Sequence, residues 1–412
     1  MGIVLFIIGV VLATATIITF FPIRRDPLSG TSFVVGWLTS ELAGQLFVLN
    51  AALVVVVCIE GATSSVLGRV GLGLDLLGAV LLVVLIIEGR VRARQVVVRS
   101  LASIPGFPVY ASDALEHPRW SRWWRSAIAI PFPGGGITST KGVRYAPEAG
   151  ASHTLDIYRP AGGVEGAPVL LYVHGGAWVI GDKREQGKPM MFELVKRGWV
   201  CVSINYRLSP KATWPEHIID VKTAIVWTKE HIAEFGGDPD FLAIAGGSAG
   251  GHLVSLAALS AGDPAFQPGF EGADTSVDAC VSLYGVLDMT ADPATSGIHG
   301  PGLKILLERQ VMKVPIESNR SLFEQASPQH RVRRDAPPFL VLAGTNDTLV
   351  PVAVPRAFVP ALREISEAPV GYVELPLAQH AFDVMASPRC SATTAGVVAF
   401  LEAVRTHASA RP

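Results

Sequence analysis

Three stretches almost free of charge crowd the first 87 residues of this 412-residue chain, and they decide in what solvent its N-terminal part can fold. Ile3 to Phe21 is nineteen residues without a charge, and Leu42 to Ile59 is another eighteen. Val70 to Ile87 is eighteen residues with one acid, Asp75, near its start. A hydrocarbon core about 30 Å thick takes about twenty helical residues to cross, so each run is just long enough, the third against the cost of placing Asp75 in lipid. A secretory leader fits the first run poorly, since no basic segment precedes it and no small-residue cleavage site comes before Pro22. Buried helices of a soluble domain account for one such run, not for three. The expectation is a transmembrane region over 1–89, with spans near 3–21, 42–59 and 70–87, and two spans as the fallback.

Arginines orient these runs. Arg24 and Arg25 follow the first, and Arg90, Arg92, Arg94 and Arg99 follow the third, while the loop between the second and third carries only Glu60 and Arg69. Positive charge stays on the cytoplasmic side. Three spans therefore put the N-terminus outside and everything after residue 90 in the cytoplasm, whereas two spans cannot place both basic loops inside. Four cysteines (Cys58, Cys201, Cys280, Cys390) lie far apart with no CxxC pair, which suits a reducing compartment and argues against a zinc finger or a disulfide scaffold. The net charge of −1 gives no basic field for nucleic acid.

Residues 90–136 read as a connector. Up to Arg125 it holds seven arginines against two acids, interleaved with Trp120, Trp123 and Trp124. Such a stretch lies in the lipid headgroup layer or packs on the next domain as a cap, and both readings stay open. Pro131, Pro133 and Gly134–Gly136 then mark a boundary.

From 137 to 412 the chain alternates. Short apolar runs occur at Val169–Val173, Val200–Asn205, Leu242–Ala245, Cys280–Tyr284, Phe339–Leu342 and Gly371–Leu375. Helically spaced stretches lie between or after them, at Glu216–Phe235, Ala249–Ser260, Val354–Ser366 and Ala392–His407. That alternation predicts an α/β domain with a mostly parallel sheet covered on both faces. Thr290–Arg334 breaks the rhythm and reads as an insertion over the sheet's edge. In such sheets the ligand sits beyond the carboxyl ends of the strands, so reactive residues should follow strands directly.

They do. Leu242–Ala245 runs into Gly246-Gly-Ser248-Ala-Gly250-Gly251 and then a helical stretch. G-x-S-x-G between strand and helix puts a serine on a strained turn whose small neighbours let backbone and helix close in beneath an exposed hydroxyl. A phosphate loop is excluded, because no Lys-Ser/Thr follows. A serine needs a base, and the base a third group to orient it. On such elbows the chain order is Ser, acid, His. Asp347 follows the strand Phe339–Leu342, and His380 follows the strand ending at Leu375. Asp288 is the second candidate for the acid; His252 lies too close to Ser248 and packs in its helix instead. Upstream, the strand ending at Val173 leads into His174-Gly175-Gly176-Ala177-Trp178. Backbone N–H groups of Gly175, Gly176 and Ala177, with that of Ala249, are the candidate oxyanion donors, and His174 braces the loop.

Together, His174–Trp178, Asn205-Tyr-Arg-Leu-Ser-Pro210, Pro215 with Asp220, Gly237-Asp-Pro239, Gly246–Gly251, Asp347 and His380 resemble the hormone-sensitive-lipase-like branch of the α/β-hydrolase fold, over roughly residues 140 to 408. The layout with an N-terminal membrane region is similar to actinobacterial Lip-type esterases. Two positions depart from that branch: Ala177 stands where a third glycine is common, and Gly247 where an acid often precedes the serine. Both changes lean toward kynurenine formamidases and isoprenylcysteine methylesterases. The resemblance implies a membrane-anchored serine carboxylesterase or lipase with catalytic Ser248, Asp347 and His380, acting on a small-molecule or lipid ester without metal or cofactor. A formamidase or amidase with the same residues is the alternative; a non-catalytic binding protein would be expected to lack one of them.

Overall fold

The computed structural model describes residues 1–25, 27–105, 129–132, 135–146, 150–292 and 302–409. Trp120, Trp123 and Trp124 of the connector, and residues 293–301 of the insertion, lie outside that set.

Eight strands form one sheet: β1 (Ile137–Arg144), β2 (Thr154–Pro160), β3 (Ala167–Val173), β4 (Val200–Ile204), β5 (Gly237–Gly247), β6 (Ala279–Leu283), β7 (Phe339–Gly344) and β8 (Val370–Leu375). Their order is β1-β2-β4-β3-β5-β6-β7-β8. β1, β2 and β4 pair antiparallel, and every pair from β4 through β8 is parallel. All six strands expected from the sequence are present. They are largely apolar because helices cover both faces of a parallel sheet: β3, β4, β6 and β7 are buried at every position. Alternate residues of β3 feed two separate cores. Val169, Leu171 and Val173 face one side with helices α7 (Glu216–His231), α8 (Ala249–Leu259) and Ala353–Ile365. Leu170 and Tyr172 face the other, with α5 (Ala93–Ala102), α6 (Lys188–Lys196) and Pro388–Ser409.

Helix α5 falls in the stretch read as a connector. Its Ala93, Val97 and Leu101, spaced four apart on one helical face, are fully buried in the second core, while Arg92 lies exposed just before them.

The N-terminal helices are α1 (Gly2–Phe20), α2 (Ser29–Glu41), α3 (Ala43–Ile59) and α4 (Val66–Ile87). Two helical paths are long and apolar enough to cross a membrane, Gly2–Phe20 and Val66–Ala102, and α2 with α3 makes a third only as a pair bent by 82°. α1 and α4 run parallel and touch through glycines: a Cβ at Gly71 would lie 2.5 Å from Phe6 Cα, and one at Gly78 2.6 Å from Leu12 Cγ. Such close approach is how helices associate where no hydrophobic effect drives them together. α3 returns between their ends. Its start (Ala43, Leu46, Phe47) packs with Leu12, Leu82 and Leu85, and its far end (Val54, Val57, Cys58) packs with Leu5, Ile8 and Leu72. At 1.5 Å per residue its 17 residues reach about 25 Å. Asp75 is buried inside this bundle, where Asn50 Nδ2 of α3 donates to its carboxylate at 2.9 Å. That bond answers the objection its charge raised against the third run: an ionisable side chain turned to the bundle interior and paired there is tolerated. The outward faces carry exposed apolar side chains, among them Ile7, Val11, Leu49, Leu53, Leu76 and Val80.

Candidate active site

Strand register brings the motif residues to one edge. Val173 pairs with Gly246, Gly247 with Leu283, Leu283 with Leu342, and Gly344 with Leu375. The segments carrying His174, Ser248, Asp347 and His380 therefore all leave the same carboxyl end of the sheet.

Ser248 caps α8 with φ 57° and ψ −121°, a left-handed conformation that a non-glycine residue adopts only under constraint. Its N–H donates to Leu283 O at 2.9 Å, which ties the turn to β6. The side chain is half-buried rather than sealed. A Cβ at Gly250 would collide with Val173 O, so only glycine lets the start of α8 come this close to β3. With the helix N-terminus directly under the serine, its partial positive charge faces any anion formed there.

Asp347 and His380 meet. His380 Nδ1 lies 2.7 Å from Asp347 Oδ2, and both side chains are almost fully buried. The other carboxylate oxygen accepts the N–H groups of Leu349 and Val350, each at 2.8 Å, so the acid cannot rotate away. Gln379 links the two loops, its Oε1 accepting from Thr348 N at 2.8 Å and His380 N at 3.0 Å. Asp288, the second candidate acid, instead accepts from the N–H and hydroxyl of Thr290. His252 packs as expected: fully buried, it accepts from Trp178 Nε1 at 3.2 Å and lies 2.7 Å from Ala326 O. Burial lowers its pKa to about 4.

The loop after β3 also folds over the serine. A Cβ at Gly175 would lie 3.0 Å from Ser248 Cβ. His174 braces the loop, with Nδ1 2.7 Å from Gly175 O and its ring stacked on Tyr206, whose hydroxyl donates to His174 O. Burial lowers the His174 pKa, which suits a neutral structural ring. One expectation needs correcting. The Gly175 N–H donates to Gln186 Oε1 at 2.8 Å, so it is already used in holding the loop. No acceptor among the described residues takes the N–H of Gly176, Ala177 or Ala249. Gly176 and Ala177 have φ 120° and 54°, positive values that let the chain turn sharply straight after β3.

Tyr284 was missed in the sequence, although it follows β6 directly. Its ring centroid lies 4.4 Å from that of His380, and its hydroxyl donates to buried Asp383. Burial raises the Asp383 pKa. A Cβ at Gly247 would come within 2.7 Å of the Tyr284 hydroxyl. The glycine that replaces an acid beside the serine thus makes room for a ring that reaches from the elbow to the histidine.

The sheet order, the serine elbow and the Ser–Asp–His chain order define an α/β-hydrolase, as the resemblance implied. Residues 155–362 match the BD-FAE family. The chain is 53% identical over 269 residues to a probable carboxylic ester hydrolase of Mycobacterium tuberculosis, LipM. It is 50% identical over 264 residues to esterase LipQ of the same organism, and each alignment covers 64% of this chain and 62% of the relative. The match thus spans less than two thirds of either relative's length. Esterase B from Lactobacillus rhamnosis shares the fold at 21% identity, with a TM-score of 0.58 over 68% of this chain and 89% of that one. The chain belongs to the BD-FAE family.

Proposed function

We propose that the protein is a membrane-anchored serine carboxylesterase, with Ser248 as nucleophile, His380 as general base and then general acid, and Asp347 orienting the imidazole. The observation that carries this is the 2.7 Å contact between His380 Nδ1 and Asp347 Oδ2, at the same sheet edge as a serine held at φ 57°. With Nδ1–H given to the carboxylate, Nε2 is left with a lone pair to take the serine proton. Oγ then bonds to the ester carbonyl carbon, and the oxyanion formed is met by the N–H groups of Gly176, Ala177 and Ala249. The histidine returns the proton to the departing alkoxide, and water repeats the sequence on the acyl-enzyme. No step calls for a metal or a cofactor.

The relatives named as ester hydrolases support carboxylic esters over amides. The expected result is that the full-length chain, purified in detergent, hydrolyses p-nitrophenyl acyl esters faster than aryl formamides and takes up a fluorophosphonate probe. Faster turnover of the formamide would move the assignment to the formamidases.

The anchor reads as three passes with the catalytic domain in the cytoplasm. α1 and α4 are parallel and both end at the hydrolase domain, so the chain must cross back between them, and α3 does so. Arg24 reaches Thr345 O of that domain at 3.0 Å, and Arg90 and Arg92 lead into α5, which carries Arg94 and Arg99, so both basic segments lie on the domain's side. A green fluorescent protein fused after Pro412 is expected to fluoresce, and alkaline phosphatase fused there to stay inactive. Active phosphatase would invert the topology.

A further inference from the structure

The helix between the first two apolar runs has its amphipathic character reversed. The buried face of α2 is Ser32, Gly36, Thr39, Ser40 and Glu41, while Val34 and Leu38 are exposed. A helix that turns small and polar groups toward protein and apolar ones outward suits an apolar surrounding.

What the inward face touches is the pair of loops carrying Asp347 and His380. The Trp37 indole N–H donates to Ala381 O, next to His380, at 2.9 Å. A Cβ at Gly36 would lie 3.4 Å from Gln379 Nε2, the residue on the other side of His380. The Thr348 hydroxyl, beside Asp347, donates to Ser29 O at 3.1 Å. Phe33 stacks on Trp37 at 5.8 Å and meets the His380 ring edge-on at 6.0 Å. The C-terminal end of α2 is fastened by Glu41, fully buried, which pairs with Arg389 and accepts from the Ser387 hydroxyl at 2.5 Å. Both residues lie just beyond the His380 loop. Ahead of α2, Asn346 Nδ2 donates to Thr19 O at 2.7 Å, a carbonyl left unpaired by the end of α1.

We propose that α2 belongs to the active site: Trp37 is a positioning residue that holds the His380 loop, and Phe33 is the wall against which an apolar part of the ester packs beside the imidazole. The site is then completed by the N-terminal helices, and its rim at α2 lies where an acyl chain leaving a bilayer surface would arrive. This rests on the serine-hydrolase reading above.

The test uses the full-length chain in detergent or nanodiscs, with active sites counted by burst titration so that misfolded molecules drop out. Trp37→Phe removes the N–H donor and keeps the ring stack. Its kcat per titrated site on p-nitrophenyl butyrate is expected to fall about tenfold with KM unchanged, because a base displaced by a fraction of an ångström loses rate and not binding. The rate of fluorophosphonate labelling should fall in parallel. Phe33→Ala should instead raise KM, more for p-nitrophenyl octanoate than for the acetate. If Trp37→Phe keeps kcat within twofold while the wild type is active, or if Phe33→Ala leaves KM the same on both esters, α2 is only an anchor and the proposal fails. A wild-type chain that neither hydrolyses esters nor takes the probe would overturn the serine-hydrolase reading itself.

Discussion

Ser248→Ala is expected to lower kcat for ester hydrolysis by about 10⁴–10⁶-fold, the range seen when the nucleophile of a cooperating triad is removed, and to abolish fluorophosphonate labelling while the thermal unfolding midpoint stays near that of the wild type. The size of the loss follows from the mechanism, since without Oγ no acyl-enzyme forms and only the oxyanion donors remain to act on attacking water. The stability expectation follows from the position. The side chain is half-buried and the structure gives its oxygen no hydrogen bond among the described residues, while the turn itself is held by the Ser248 N–H to Leu283 O and by glycine packing at 250. Alanine keeps both. Labelling that survives in the Ser248→Ala chain would place the nucleophile elsewhere.

Asp347→Asn is expected to reduce kcat by about 10⁴-fold through the histidine's tautomer. Asp347 Oδ1 is committed to the amides of Leu349 and Val350. The asparagine must keep its carbonyl oxygen there, so its NH₂ points at His380 Nδ1. The imidazole can meet an N–H donor only with Nδ1 unprotonated, which puts the ring proton on Nε2 and removes the lone pair that would accept the serine proton. A signature follows in the pH profile: raising the pH, which increases deprotonated serine independently of the base, should recover part of the lost rate. A loss below about tenfold would mean another group orients His380.

The parts of this molecule that could be read in advance are those whose physics is local. Strands β3 to β8 each contain a largely apolar run because helices cover most of both sheet faces, and each motif residue could be placed because it follows such a run. β1 and β2 were not picked out. β1, Ile137–Arg144, is an antiparallel edge strand exposed at most positions, and its Thr-Ser-Thr-Lys sequence carries no core-facing signal. The engagement of the Gly175 N–H was also invisible, since Gln186 lies eleven residues on and arrives through the tertiary course of the loop. Tyr284 needed the sheet register to be seen against His380. The least legible feature was α2. Its polar face is matched to loops more than 300 residues away, and its 82° break from α3 falls at Leu42, where the sequence shows only the start of an apolar run.

Helix α5 has a practical consequence for anyone shortening the chain. With the residues that follow it, it lies wedged between β8 and the C-terminal helix: a Cβ at Gly396 would strike its Val97, and one at Gly371 would press on Ile104, two residues beyond its end, at 2.8 Å. Cropping the polypeptide at the glycines before β1, where a soluble fragment would naturally be cut, strips that wedge away. It would bare a greasy trench along Val373, Val397 and Leu401, so a recombinant boundary that respects the enzyme's core belongs upstream of Ala93.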